Sequence, residues 1–186
     1  MRWDLRIILF GVCSFLLEVS VFDKGDFVVC GSKGVCTVEE ITKLCMPGVD
    51  KDRDYYVLKP VYNYGTTVYL PVDSGEESMR RTLSKEEARS LIGAIRDIKP
   101  LSISNDKLLE QEYRGCLRTN MCEEWVKILK TTYIRKQNRI KMGRKMTAVD
   151  AKYARIAEDS LYGELAVVLD MPREKVADYI SEQIDQ

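Results

Sequence analysis

The chain has 186 residues, 45% apolar and 31% charged, with 29 basic residues balancing 29 acidic ones and no histidine. That mixture suits a packed globular protein and is too apolar for a disordered one, and the length admits one large domain or two modest ones. Without histidine, Ser/His/Asp and Cys/His nucleophile systems and histidine-containing zinc sites are excluded, so the expectation is a protein with no enzymatic activity, cofactor or metal.

The first twenty residues, MRWDLRIILFGVCSFLLEVS, hold a mostly apolar run from Ile7 to Leu17. It is too short to cross a bilayer as a helix, Asp4 sits among its basic residues, and no A-x-A-like cleavage site follows. Three readings stay open: a dispensable or wrongly assigned start, a packed extra helix, and a secretory signal. The six cysteines, at 13, 30, 36, 45, 116 and 122, form no CxxC pair. They read as reduced thiols of a cytoplasmic protein, with an exported, disulfide-stapled domain as the rival.

From Val21 to Asp73 the runs FVV, VCTVEEI, DYYVLKPV and TTVYLPV are rich in branched and aromatic residues and are separated by turn residues. Gly31 and Gly34 frame one connection, Pro47-Gly48 marks a longer loop, and Asn63-Tyr64-Gly65 closes a hairpin. Four or five short strands of this kind predict a small curled barrel over residues 21–82. Ser84 to Glu87 reads SKEE, a capping box, and predicts a helix to about Asp97. Pro100 ends it, and PLSISND reads as the linker closing a helix-and-linker segment, 83–104.

Residues 105–186 predict an all-α bundle, giving an α+β chain of two domains. Apolar positions recur at Leu108, Leu109, Tyr113, Cys116 and Leu117, then at Trp125, Val126, Leu129, Tyr133 and Ile140, spacings that hold one stripe on a helix face. Met142-Gly143 interrupts the pattern, Thr147 with Asp150 caps a helix through Leu169, and Pro172 opens the last one. Trp125 is expected inside the bundle.

Zero net charge hides strong local fields. Ten basic residues stand against one acid from Lys127 to Arg155, and eight acids against two bases from Glu158 to Gln186. The block RKQNRIKMGRK, from Arg135 to Lys145, carries no acid, and a helix end bearing such a run suits the phosphates of a nucleic acid. Asp50, Asp52 and Asp54 lack the glycine and distal glutamate of a calcium loop.

The ordered set F-x-x-GD-x-VV-x-x-x-x-GV-x-x-VEEI, DYYVLKPV and TTVYLPVD resembles the CarD/CdnL family of bacterial transcription regulators. YIRKQNRIKMGRKMTAVDAKYARIAEDSLYGELAVVL is similar to that family's C-terminal helical domain, including Gly163 to Ala166. The resemblance implies a Tudor-like domain, of the type also found in the transcription-repair coupling factor, that docks on the β subunit of RNA polymerase. It also implies a helical domain that lies on promoter DNA without sequence recognition and stabilises the open complex.

Two departures shift the expected contacts. Leu101 to Glu110 lacks the family's tryptophan wedge, leaving Leu109 or Leu108 as an apolar substitute. Tyr69 stands where the family often has an arginine, so Lys43 and Tyr69 are the expected polymerase contacts. The expected DNA-binding set is Arg114, Arg118, Arg135, Lys136, Arg139, Lys141, Arg144, Lys145 and Lys152, on a monomer without membrane attachment. A ribosome- or RNA-associated barrel of the KOW type is the alternative function.

Overall fold

A computed structural model describes residues 22–63, 65–103 and 105–185. The expectations for residues 1–20, Cys13 among them, lie outside the described residues. Strands β1 (Phe27–Val29), β2 (Val35–Lys43), β3 (Asp54–Pro60), β4 (Val68–Pro71) and β5 (Arg80–Arg81) form one antiparallel sheet in the order β4-β3-β2-β1-β5. A 3₁₀ turn at Gly31–Lys33 joins β1 to β2, and Gly31 (φ 44°) and Gly34 (φ 71°) supply the left-handed backbone it requires. The ladder between β2 and β3 slips between Val38 and Glu40, a bulge that bends the sheet into a half-barrel. Its concave side holds Phe22, Val28, Cys36, Val38, Tyr56, Leu58 and Met79.

The expected strand TTVYLPV ends at Pro71, and a short helix, α1 (Val72–Ser78), follows it. The two-residue β5 then returns the chain to β1, pairing Val28 with Arg81 and Val29 with Arg80. Together these elements are the N-terminal half of an α+β fold, and helices make up the rest.

The capping box is formed as expected. At the start of α2 (Lys85–Ala94) the Glu87 amide donates to Ser84 Oγ at 3.2 Å, and the Ser84 amide donates to Glu87 Oε2 at 2.7 Å. Ala88, Leu91 and Ile92 turn the buried face of α2 into the helical core. The segment expected to be an interdomain linker is laid on that same core. The Leu101 amide donates to Thr131 Oγ1 at 2.8 Å, and Leu101 and Ile103 pack against buried residues. The change from sheet to helices comes at residues 83–84, and Leu101 and Ile103 already belong to the helical part.

Helices α3 (Leu109–Arg118), α4 (Cys122–Lys141), α5 (Ala148–Leu169) and α6 (Val176–Asp185) complete the bundle. Gly143 (φ 69°) turns the chain between α4 and α5, and Thr147 Oγ1 accepts from the Asp150 amide at 3.0 Å to start α5. Pro172 precedes a 3₁₀ turn, Arg173–Lys175, that leads into α6; it is not the first residue of that helix. No described helix is long and apolar enough to cross a membrane.

Trp125, Ile128, Tyr113, Ala157, Leu161 and Leu165 form the bundle core, and Val29 and Val35 of the sheet join them. Trp125 is buried as expected. Tyr133 and Ile140 depart from the predicted stripe, at 62% and 53% exposure. Arg135 meets Asp150 at 3.1 Å while Cys122 meets Glu164 at 3.0 Å, so α4 and α5 run antiparallel with α5 beginning beside Arg135. The last turn and a half of α4 projects past its partner, which leaves Ile140 uncovered. The described cysteines, Cys30, Cys36, Cys45, Cys116 and Cys122, are free thiols.

One polar cluster joins sheet and bundle. Arg80, on β5, donates through Nη1 and Nη2 to Glu164 Oε1 and Oε2, each at 2.7 Å. Glu164, on α5, is fully buried and also accepts from the Leu83 amide at 2.8 Å and from Cys122 Sγ at 3.0 Å. The Arg80 guanidinium donates to the Asn120 carbonyl at 2.6 Å and lies 5.6 Å from the centroid of the Trp125 ring. One residue earlier on α5, Gly163 sits so close to Tyr62 that an added Cβ would meet the ring at 3.3 Å. The run Gly163-Glu164 is thus where the helical part closes on the sheet.

Candidate functional site

The expected polymerase contacts lie on the sheet. Tyr69 is on the edge strand β4, half-exposed, in register with Val57 on β3, which itself faces Glu40 on β2. Lys43, also exposed, ends β2 opposite Asp54, three residues beyond Glu40. Because side chains alternate along a strand, an odd offset puts Lys43 on the other face from the Tyr69 row. The sheet does not bring the two together on one surface. Tyr69 keeps the unpaired side of β4 beside it, backbone available to a further strand.

The expected DNA contacts fall into three groups. Arg135 is sequestered: its Nε donates to Asp150 at 3.1 Å and its Nη1 to Asp106 at 2.9 Å. Asp150 is fully buried and also accepts from Tyr113 Oη at 2.9 Å and from Thr147 Oγ1 at 2.7 Å. Burial and the hydrogen bond to Asp150 push the Tyr113 hydroxyl well above the usual tyrosine range, so it remains a donor. Arg135 compensates a buried carboxylate that starts α5, and this corrects its assignment to DNA.

Arg114 and Lys152 form the second group, sharing one acid. Glu110 Oε1 accepts from Arg114 at 2.9 Å, from Lys152 at 3.4 Å and from Tyr153 Oη at 3.0 Å. The Arg114 hydrogen bond holds the Glu110 carboxyl below its ordinary range. Exposed as these cations are, their field is partly cancelled. Arg118, one turn further along α3, belongs with them: it lines a cleft with Glu110 and Arg114, and on its other side approaches Ile156 and Ser160 of α5.

Lys136, Arg139, Lys141, Arg144 and Lys145 form the third group, and among the described residues none of them pairs with a carboxylate. They occupy the projecting end of α4 and the turn after it. Arg139 Nε donates to the Lys145 carbonyl at 2.6 Å, and the Arg144 amide to the Arg139 carbonyl at 2.8 Å, so the turn is folded back on the helix end. Ile134, Ile140 and Met142, at 44%, 53% and 70% exposure, lie among the cations. The helix end also directs its carbonyls here, a further reason for cations to collect.

Leu109 is buried in the bundle core and offers no free side chain, which corrects its expected wedge role; its neighbour Leu108 is the exposed one of the pair. Sequence reasoning missed Arg80 and Glu164, although the run Gly163 to Ala166 was part of the resemblance. Arg80 is flanked by Arg81 and reads as a surface charge until its partner, 84 residues away, is known.

Residues 22–83 match a protein-family model, the CarD-like/TRCF RID domain. The chain carries a CarD-like domain. The match spans the five strands and α1 and stops one residue before the cap of α2. It is a domain of the RNA polymerase-interacting kind, which gives the chain a transcription-related role. No curated protein matches the chain. Arg80 and Leu83, at the C-terminal boundary of the CarD-like domain, are the residues through which it holds Glu164 of the helical part.

Proposed function

We propose that the chain is a non-enzymatic bacterial transcription regulator that docks on the β subunit of RNA polymerase through its CarD-like domain. It rests the projecting α4–α5 tip on promoter DNA and so lengthens the life of the open complex. It acts as a monomer in the cytoplasm. Docking uses the unpaired edge of β4 near Tyr69, where backbone groups can pair or abut a polymerase strand. DNA contact is to phosphates and therefore independent of sequence.

The observation that carries this reading is the tip itself: five cations without carboxylate partners among the described residues, preceded by a stretch of near-equal charge, 12 bases against 13 acids from residue 21 to 99. If all five touch phosphates, binding to duplex DNA falls with salt at a log-log slope of about −4.5. Open-complex lifetime on a linear promoter, measured with the endogenous polymerase with and without the chain, tests the reading. A lifetime that does not change at low salt overturns it. A pull-down that recovers RNA in place of the β subunit, and is lost on RNase treatment, favours the RNA-associated barrel instead.

A further inference from the structure

Tyr133 is the aromatic residue of α4 that the bundle leaves uncovered, 62% exposed although it keeps the helical spacing of the buried Trp125 and Val126. It lies on the wall of an open groove of about 490 Å³ between α4 and α5. Lys130, Tyr133 and Lys136 line this groove from α4, one helical turn apart, with roughly 4.5 Å of rise from each to the next. Ala151, Ala154 and Arg155 line it from α5, and the two alanines are too small to fill the space between the helices.

The cations of the groove are largely uncancelled. Lys136 has no carboxylate partner among the described residues. Lys130 Nζ donates to the Arg96 and Ile98 carbonyls at 2.9 and 2.6 Å, neutral acceptors that fix the ammonium while leaving its charge and its third hydrogen available. Arg155, its side chain 85% exposed, comes no nearer than 3.8 Å to Asp159, a surface pair of little strength. Glu158 is the one acid on the walls, against three bases. Through Lys136 the groove opens onto the cations of the tip.

We propose that this groove binds a single strand of DNA, one unpaired base stacked on the Tyr133 ring and the phosphates beside it held by Lys130, Lys136 and Arg155. An unpaired base has a free face and a phosphate on either side, the order in which Tyr133 stands between Lys130 and Lys136. In a duplex both faces of each base are already covered, so the ring has nothing to stack on. An acidic peptide satisfies the cations and leaves the exposed ring without a role. The inference rests on the reading of the tip as a nucleic-acid contact and adds a second ligand to it, the unpaired strand that a melted promoter exposes next to its duplex.

Fluorescence anisotropy on the full chain tests the assignment with a labelled thymidine oligonucleotide of about 12 nucleotides and an abasic strand of the same length and charge, which keeps the phosphates and lacks the bases. The expected result is tighter binding of the thymidine strand by about fivefold or more. Tyr133→Leu removes that preference and Tyr133→Trp keeps it, while duplex affinity, its salt slope and the melting temperature stay as in the wild type. Arg155→Gln weakens both strands alike. Equal binding of the two strands by the wild type overturns the inference, as does a preference that survives Tyr133→Leu. So does an oligoglutamate peptide of the same charge that competes as well as the thymidine strand. Duplex affinity and open-complex lifetime are read separately, so a groove without base preference leaves the proposed function standing, and an unresponsive lifetime strikes that function without touching the measured preference.

Discussion

Arg80 and Glu164 make a two-pronged ion pair, both bonds 2.7 Å, between the last strand of the CarD-like domain and the C-terminal part of α5. Desolvation of Arg80 opposes its charge, but the paired carboxylate outweighs this and raises its pKa. Removing one partner leaves the other charge buried alone, so Arg80→Met is expected to destabilise the chain by about 3–5 kcal/mol. The double variant Arg80→Met/Glu164→Met recovers most of that loss, because no charge is then stranded. Urea denaturation of the three proteins checks both values.

Replacing Arg139, Lys141 and Arg144 by glutamine removes three of the five unpaired tip cations without touching the core. The salt slope of DNA binding is expected to become shallower by about 2.7, and open-complex lifetime to shorten, while polymerase pull-down is unchanged. Anisotropy titrations between low and moderate salt measure the slope.

Arg135→Gln should do the opposite. It leaves the buried Asp150 without its cation and lowers stability by about 2–4 kcal/mol, while the salt slope, read on folded protein below the melting temperature, stays the same. Thermal melting alongside anisotropy separates the two effects. A lost slope with intact stability would return Arg135 to the DNA-binding set.

Burial pushes the Cys36 thiol up to about 12, with the nearby Cys30 adding to the shift. Burial does the same at Cys116, also to about 12, helped by its hydrogen bond to Glu124. An unfolded cysteine loses its proton near pH ~8.5, so the folded state retains protons that the unfolded one releases. The associated stability is complete below that pH and is lost as pH rises from there toward the folded values. A melting series from pH 7 to about 10 should fall, and fall less steeply for Cys36→Val and Cys116→Val. Iodoacetamide at neutral pH should label exposed Cys45 and spare Cys36 and Cys116 until the chain unfolds.

Gly143, at φ 69°, sets the direction of the tip. A side chain at that angle is strained, and Gly143→Ala is expected to cost about 1 kcal/mol. Thr147→Ala, which removes the cap of α5, should cost a similar ~1 kcal/mol. Chemical denaturation measures each, and the double variant tests whether the two losses add.

What could be read along the chain was local chemistry. The Ser84–Glu87 box, the Thr147 cap, the glycine turns and the burial of Trp125 each follow from a few neighbouring residues, and each is present. The misreadings came from relations across distance. Arg135 looks like one more cation of an acid-free block, yet its partners are Asp106 and Asp150, 29 and 15 residues away. Ile140 keeps helical spacing, but spacing carries no information about where the neighbouring helix begins. The strand at Arg80–Arg81 is two charged residues long and resembles a loop in every local property. Leu108 and Leu109 are equivalent in sequence, and only the docking of α3 decides which one is covered.

The grip of Glu164 on both Arg80 and the Leu83 amide ties the CarD-like domain to the bundle. The halves of the molecule are not strung on a loose cord whose reach is a statistical average; they share a buried ion pair and a common apolar core. The span from the β4 edge to the charged turn is then a property of the fold, so in the proposed function the point where the polymerase holds one end would decide which phosphates the other can touch.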